Sequence, residues 1–351
     1  MRLANPSAIG ATAVAAALAV AAFTPFSALA DSKQITLRLA DSFPTTHFIS
    51  KEAIVPWMED ITKQTGGKVK FEHFPAQQLG KAPDLLNLTQ SGVADIGYVG
   101  VSYVSDKMPL SGVAQLPGAF STACEGTKAY MTLARGDTVR KTDYEANKVR
   151  LLFGFLLEPY QFYTVAKAVQ MPDDVKGLKL RSTGGAMDIF ARKLNAVPVR
   201  MAAPEVRESL SRGTLDGLIF PNESVISYDL QNMVKFGTKG GNFGSFIVTL
   251  AINEDRWRKL PKDVQTAMNK ANEAIMPKIC KHIDDGIETV VQKLTASGVK
   301  FHTLTAGERK AFSEITDTVA VEWADGLDKR GKPGSQVLKE FKAALAKAAT
   351  N

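Results

Sequence analysis

Apolar and polar residues alternate from Ile35 to Ala40, the period of a half-buried strand. A helical pattern runs from about Ser50 to Thr65 and stops at Gly66-Gly67. Pro56 predicts a bend inside it or its true start. Val69 to Phe74 reads as a second strand, and Ala94 to Val99 as a third. Between them lies a helix opened by Pro83 and closed by Gly92. Strand, helix, strand, helix, strand begins an open α/β lobe. Ligands of such sheets gather beyond the carboxyl ends of the strands. Here those ends are Asp41–His47 and Tyr98–Ser102, which makes His47 and Tyr98 candidate ligand contacts. A helix follows from Thr122 to Leu133, ending at Gly136, then a strong apolar strand from Val149 to Leu156. Glu158-Pro159-Tyr160 breaks that strand, and Gln161 to Ala166 resumes an extended aromatic and β-branched pattern.

The stretch from Val175 to Pro221 organises the rest: strand, helix, short strand, helix, strand. Leu178 to Leu180 is an apolar run that ends on Arg181, beside Ser182-Thr183-Gly184. A helix is expected from about Ala186 to Leu194, and a strand from Val197 to Met201. Pro204 opens a second helix, Gly213 closes it, and Leu215 to Phe220 is the third strand. An arginine at a strand end next to a Gly/Ser/Thr loop suits a carboxylate, because its planar fork offers two parallel donors. The spacing also fits a surface arginine paired with a nearby acid. Further on, Phe243 to Asn253 reads as a strand, 260–296 as a long helix, and 306–323 and 334–348 as two more.

Residues 1–30 carry one charge, Arg2, then an apolar run from Ala11 to Ala22 and the ending Ala28-Leu29-Ala30. This is the layout of a cleavable secretory signal. The apolar run is shorter than the roughly 20 residues that span a bilayer. An exported, soluble mature protein starting at Asp31 is expected. Its composition, 45% hydrophobic and 23% charged, is that of an ordinary globular chain. The formal charge of +7 is spread without a dense basic tract, which argues against nucleic-acid binding. The two cysteines, Cys124 and Cys280, are either disulfide-bonded or buried thiols, since export permits the bond but spacing does not decide it. His47, His73, His282 and His302 are isolated, so neither metal nor cofactor is expected.

No G-x-S-x-G elbow, P-loop or H-E-x-x-H motif occurs. Gly184-Gly185 lacks the glycine spacing and lysine of a phosphate loop. Asp216 is expected to accept backbone hydrogen bonds at the start of its strand rather than to act as a base. Two classes of function remain: a protein that captures a small organic anion, and a periplasmic enzyme acting on such an acid.

Several blocks resemble the TRAP-type (tripartite ATP-independent periplasmic) solute-binding proteins. They are Asp174 to Arg181, ending GLKLR, then Leu194 to Val199, then Glu205 to Gly217, and upstream Phe74 to Gly100. The resemblance covers about residues 33–345. It implies a two-lobe periplasmic binding protein fold of class α/β. Each lobe is then a mixed open sheet flanked by helices, with crossing hinge strands and a long lobe-spanning helix. The expected division is lobe I over 31–157 with about 246–288 returning to it. Lobe II is expected over 158–245, with about 289–345 packing on it.

The resemblance further implies a monomeric receptor that delivers a small organic acid to integral membrane subunits of a TRAP transporter. Arg181 is the implied clamp for the ligand carboxylate. Many members carry a second arginine about twenty residues earlier, where this chain has Gln161, flanked by Tyr160 and Phe162. Many also carry an asparagine before the proline that follows the Asp-Gly strand; here Phe220 precedes Pro221, with Asn222 after it. Losing a cation disfavours a doubly charged ligand, and Phe220 adds apolar area. The expected ligand is therefore a monocarboxylate with an apolar or aromatic body. The expected contacts are Arg181, Gln161, Phe220, Asn222, Tyr160, Tyr163, His47 and Tyr98, with Lys167 and Arg200 as alternative cations.

Overall fold

The computed structural model describes residues 34–348. The expected signal segment, 1–30, lies outside the described residues. Eleven strands form two sheets. The first is built from β1 (Ile35–Ala40), β2 (Val69–Phe74), β3 (Ile96–Gly100) and β4 (Val149–Leu156). The second takes β5 (Gln161–Thr164), β6 (Lys179–Ser182), β7 (Val197–Arg200), β8 (Gly217–Phe220) and β9 (Phe236–Lys239). Then β10 (Ile247–Asn253) returns to the first sheet and β11 (Lys300–Thr303) to the second. The strand orders are β2-β1-β3-β10-β4 and β11-β9-β5-β8-β6-β7.

Both sheets are mixed for the same reason: a strand arriving from the other lobe enters antiparallel. β1 pairs parallel with β2 and β3, whereas β10 runs antiparallel between β3 and β4. In the second sheet β6 pairs parallel with β7 and β8, and β9 with β11, while β5 is antiparallel to β8 and β9. Asp216 behaves as expected at a strand start, its carboxylate accepting the Lys179 N–H at 2.8 Å.

The two chain crossings between the sheets are hydrogen-bonded to each other. Leu157 N donates to Phe246 O at 3.0 Å, Tyr160 N to Gly244 O at 2.8 Å, and Phe243 N to Tyr160 O at 3.2 Å. Gly244 has φ of 108°, and a Cβ there would sit 3.0 Å from the Gln115 carbonyl oxygen, so the crossing needs glycine.

A third connection is the helix Lys262–Ala296, which packs on β4 and on helices Val55–Gln64, Ala123–Arg135 and Asn222–Ser227. Its buried residues Val264, Met268, Ala271, Ile275, Ile279 and Ile283 repeat at helical spacing, giving one continuous apolar stripe. Trp57 Nε1 donates to Asn272 Oδ1 on that stripe at 2.8 Å. Cys124 and Cys280 form a disulfide that ties Ala123–Arg135 to the same helix. Asp284 completes the junction by accepting the Ala123 and Cys124 N–H groups at 2.7 and 3.0 Å. These are otherwise orphaned donors at a helix N-terminus. Among the described residues no helix is long and apolar enough to cross a membrane.

Several expectations need correction. The expected first helix splits into a wide π-type turn, Ser50–Ile54, and the α-helix Val55–Gln64, whose true start Pro56 marks, one of the two outcomes expected of it. β9 and β11 were not anticipated, because Phe-Gly-Thr-Lys and Lys-Phe-His-Thr carry too few apolar residues to show alternation. β10 starts at Ile247 rather than Phe243, the preceding residues forming the crossing. The helix expected to end at Trp323 runs to Asp328. It packs on Ala186–Lys193, and the last helix, Gly334–Ala348, packs both on it and on Ala123–Arg135 beside the first sheet.

Candidate functional site

The carboxyl ends of β1, β3, β6 and β8 meet where the chain crosses between the sheets. β6 lies between β7 and β8, with Arg181 opposite Val199 and Leu218. A side chain at that position has no route to bulk solvent, and Arg181 is only 1% exposed. Its guanidinium lies over the Phe220 ring, 4.9 Å from the centroid, a favourable cation–π placement. Nη2 donates to Tyr103 Oη at 3.3 Å, and the same oxygen accepts the Ala203 N–H at 3.1 Å. Tyr103 comes from the first lobe and both its donors from the second, so this oxygen latches the two together. Nε and Nη1 have no hydrogen-bond partner, and no acid pairs with Arg181 among the described residues.

Around the guanidinium stands a wall of rings. Tyr160 and Phe220 are 6.3 Å apart, Phe43 and Tyr98 4.6 Å, Tyr103 and Phe246 5.2 Å, and His47 and Tyr228 4.7 Å. The cavity they enclose is small, ≈ 20 Å³. Burial sets its electrostatics. It pushes the His47 ring down to about 3, so this histidine is neutral. It raises the phenols of Tyr98, Tyr160 and Tyr228 well above their ordinary value, so these remain protonated. The residues facing the cavity therefore carry one charge, that of Arg181.

Five of the eight expected contacts line the cavity: His47, Tyr98, Tyr160, Arg181 and Phe220. Gln161, Asn222 and Tyr163 do not. The Gln161 side chain is consumed by the crossing, donating to Gly241 O at 2.8 Å and accepting from Gly241 N and Thr238 Oγ1, both at 3.1 Å. Tyr163 shares a sheet face with Phe220 but lies further along β5, outside the cavity lining, and its hydroxyl donates to Asn222 Oδ1. Phe162 packs in the main core against Phe190, Phe243 and Phe312. Lys167 is exposed, and Arg200 pairs with Asp188 at 2.6 Å, so neither supplies a second cation. The sequence reading missed Tyr103, Phe246 and Tyr228. Tyr103 lies one residue past the strand end that was singled out, and Tyr228 just past the helix Asn222–Ser227.

A larger groove of ≈ 720 Å³ flanks the disulfide. Two pairs of its charged residues are matched, Arg135 with Glu273 and Lys281 with Asp285, and its Lys128 is exposed. It lacks the unpaired buried cation that sets the inter-lobe cavity apart.

The profile of the bacterial extracellular solute-binding proteins, family 7, matches residues 39–325. The chain belongs to this family. It is a TRAP-type solute-binding protein with the two-lobe fold of that group, whose members are receptors for transporters. A TRAP solute-binding protein from Rhodoferax ferrireducens T118, solved with copurified benzoate, superimposes with a TM-score of 0.84. It is 25% identical, and the match covers 90% of this chain and 99% of that one. A Bordetella bronchiseptica TRAP solute-binding protein with bound (R)- and (S)-mandelate gives a TM-score of 0.80 at 26% identity, covering 89% and 99%. The C4-dicarboxylate-binding periplasmic protein of Rhodobacter capsulatus is 27% identical over 294 residues, 81% of this chain and 83% of that protein.

Proposed function

We propose that this solute-binding protein works in the periplasm as the receptor for a small monocarboxylate with an aromatic body. It delivers that acid, as a monomer and without chemical turnover, to the membrane subunits of a TRAP transporter. Residues 34–157 with 246–288 form lobe I in this reading, and 158–245 with 289–333 form lobe II.

One observation carries the proposal: a buried guanidinium with two unpaired N–H edges facing a cavity of rings and no counter-charge. A buried cation without a partner is costly. A carboxylate brought from outside supplies the partner and matches the fork. The cavity offers no second cation, so a second carboxylate would be buried unpaired. The ring walls suit an apolar body, and covering roughly 100 Å2 of it contributes about 2–3 kcal/mol. The benzoate and mandelate of two structural relatives are acids of this kind.

Calorimetry on Arg181 variants tests the clamp. Arg181→Ala is expected to weaken benzoate binding by on the order of 2–5 kcal/mol, the cost of truncating a buried charge pair. Arg181→Lys also weakens it, because an ammonium cannot reproduce the fork. Unchanged affinity in both variants would overturn the assignment, and slow consumption of the acid would reveal an enzyme instead.

A further inference from the structure

Arg181 is not the only cavity residue with unspent hydrogen-bonding capacity. His47 is fully buried, and its Nε2 has no partner. Its other ring nitrogen is committed: the Ile49 backbone N–H donates to Nδ1 at 3.2 Å. A nitrogen that accepts an N–H bond carries no proton of its own, so in the neutral ring the proton sits on Nε2. His47 therefore presents a fixed, uncharged N–H donor from the cavity wall. The Tyr228 hydroxyl is the second unpartnered group there. The two rings meet edge to face with centroids 4.7 Å apart and an interplanar angle of 61°. Tyr228 also neighbours Phe220, 6.3 Å between centroids, and so borders the ring that carries the guanidinium. An unmade hydrogen bond in a buried site is a cost that the right ligand removes.

We infer that His47 and Tyr228 form an uncharged oxygen-reading corner, selecting aromatic acids that carry a hydroxyl or keto oxygen besides the carboxylate. This rests on the reading of Arg181 as the carboxylate clamp and divides the labour. The cation takes the charged end, and a neutral donor paired with a hydroxyl takes the uncharged oxygen. The Nε2–H donates to that oxygen, and the phenol either donates to it or accepts from it. A second carboxylate is poorly served here, because a neutral donor does not neutralise its charge. An unsubstituted ring leaves both polar groups unpaired, which is how a site built for a hydroxyl rejects the analogue lacking it.

Calorimetry with two matched pairs of acids tests the corner: mandelate against phenylacetate, and 3-hydroxybenzoate against benzoate. In the wild-type protein the oxygenated member of at least one pair is expected to bind tenfold or more tightly than its parent. Which pair shows the preference locates the oxygen, on the side chain or on the ring. The preference should fall below threefold in Tyr228→Phe, which removes only the hydroxyl, and in His47→Phe, which keeps a ring but no donor. The ratio within a pair is the readout, so a general loss of affinity in a variant does not imitate the result. Tyr228→Phe keeps the test decisive if His47→Phe folds poorly. Equal affinities within both wild-type pairs, or a preference that survives in Tyr228→Phe, would overturn the inference while leaving the carboxylate clamp intact. Failure of all four acids to bind would strike both.

Discussion

Arg181 and Glu158 show how differently one fold treats two buried charges. Arg181 keeps its charge and faces a cavity. Glu158 sits in the crossing from β4 to β5 and is 2% exposed, with Oε2 unpaired. Burial pushes its carboxyl from an ordinary value of 4.5 up to about 7, and backbone N–H groups of Asn222 and Glu223 offset part of that rise. A raised carboxyl binds its proton more tightly in the folded state than in the unfolded one. Stability is therefore complete below about pH 4.5 and falls as pH rises toward 7. Chemical denaturation of Glu158→Gln should show this loss removed: the variant gains about 3 kcal/mol over wild type at pH 8 and little at pH 4.5. Equal pH profiles would mean that Glu158 is not the titrating group. At this scale Arg181 was legible because a charged residue ended an apolar run inside a recognisable block. The roles of Gln161 and Tyr163 were not. Both face the side that carries Arg181 and Phe220, and what takes them out of the cavity is partners distant in sequence: Thr238 and Gly241 for Gln161, and Asn222 for Tyr163. Tyr103 and Tyr228 lay just outside the elements that the pattern could delimit.

Among elements, the long helix Lys262–Ala296 is held by partners distant in sequence. The stripe from Val264 to Ile283 was readable as a helix from its spacing alone. What it packs on was not, because nothing local says that Ala123–Arg135 lies against it. The cysteines left two outcomes open for the same reason: pairing across 156 residues is a property of the assembled fold. A cross-link closing so long a loop removes much conformational freedom from the unfolded chain. Replacing both Cys124 and Cys280 with serine should lower unfolding stability by about 2–5 kcal/mol. A denaturation midpoint unchanged by the double replacement would show that Asp284 and the apolar stripe hold the junction unaided. β9 and β11 make a complementary point. Four-residue strands with little alternation owe their extended form to the neighbours that pair with them, so periodicity alone could not reveal them.

For the whole molecule, the two crossings and the long helix are the places where one lobe can turn relative to the other. The conformation seen here is shut, with Tyr103 bonded across the cleft and a cavity of ≈ 20 Å³. A cavity that admits a benzene-sized ring measures on the order of 150 Å³. Uptake of such a ligand therefore requires the lobes to part, a hinge motion about a few crossing residues. Small-angle scattering should show a smaller radius of gyration with saturating benzoate than without it. An identical radius in both conditions would argue for a rigid pocket that adjusts only its side chains.

The central claim is that one buried arginine and a ring-lined cavity choose aromatic monocarboxylates over dicarboxylates. A thermal-shift comparison of benzoate and succinate at matched concentrations addresses it most directly, because a ligand that binds only the folded state raises the melting temperature, and more so the further its concentration exceeds its Kd. The account predicts a clear upward shift with benzoate and none with succinate. Stabilisation by succinate, with none by benzoate, would contradict it.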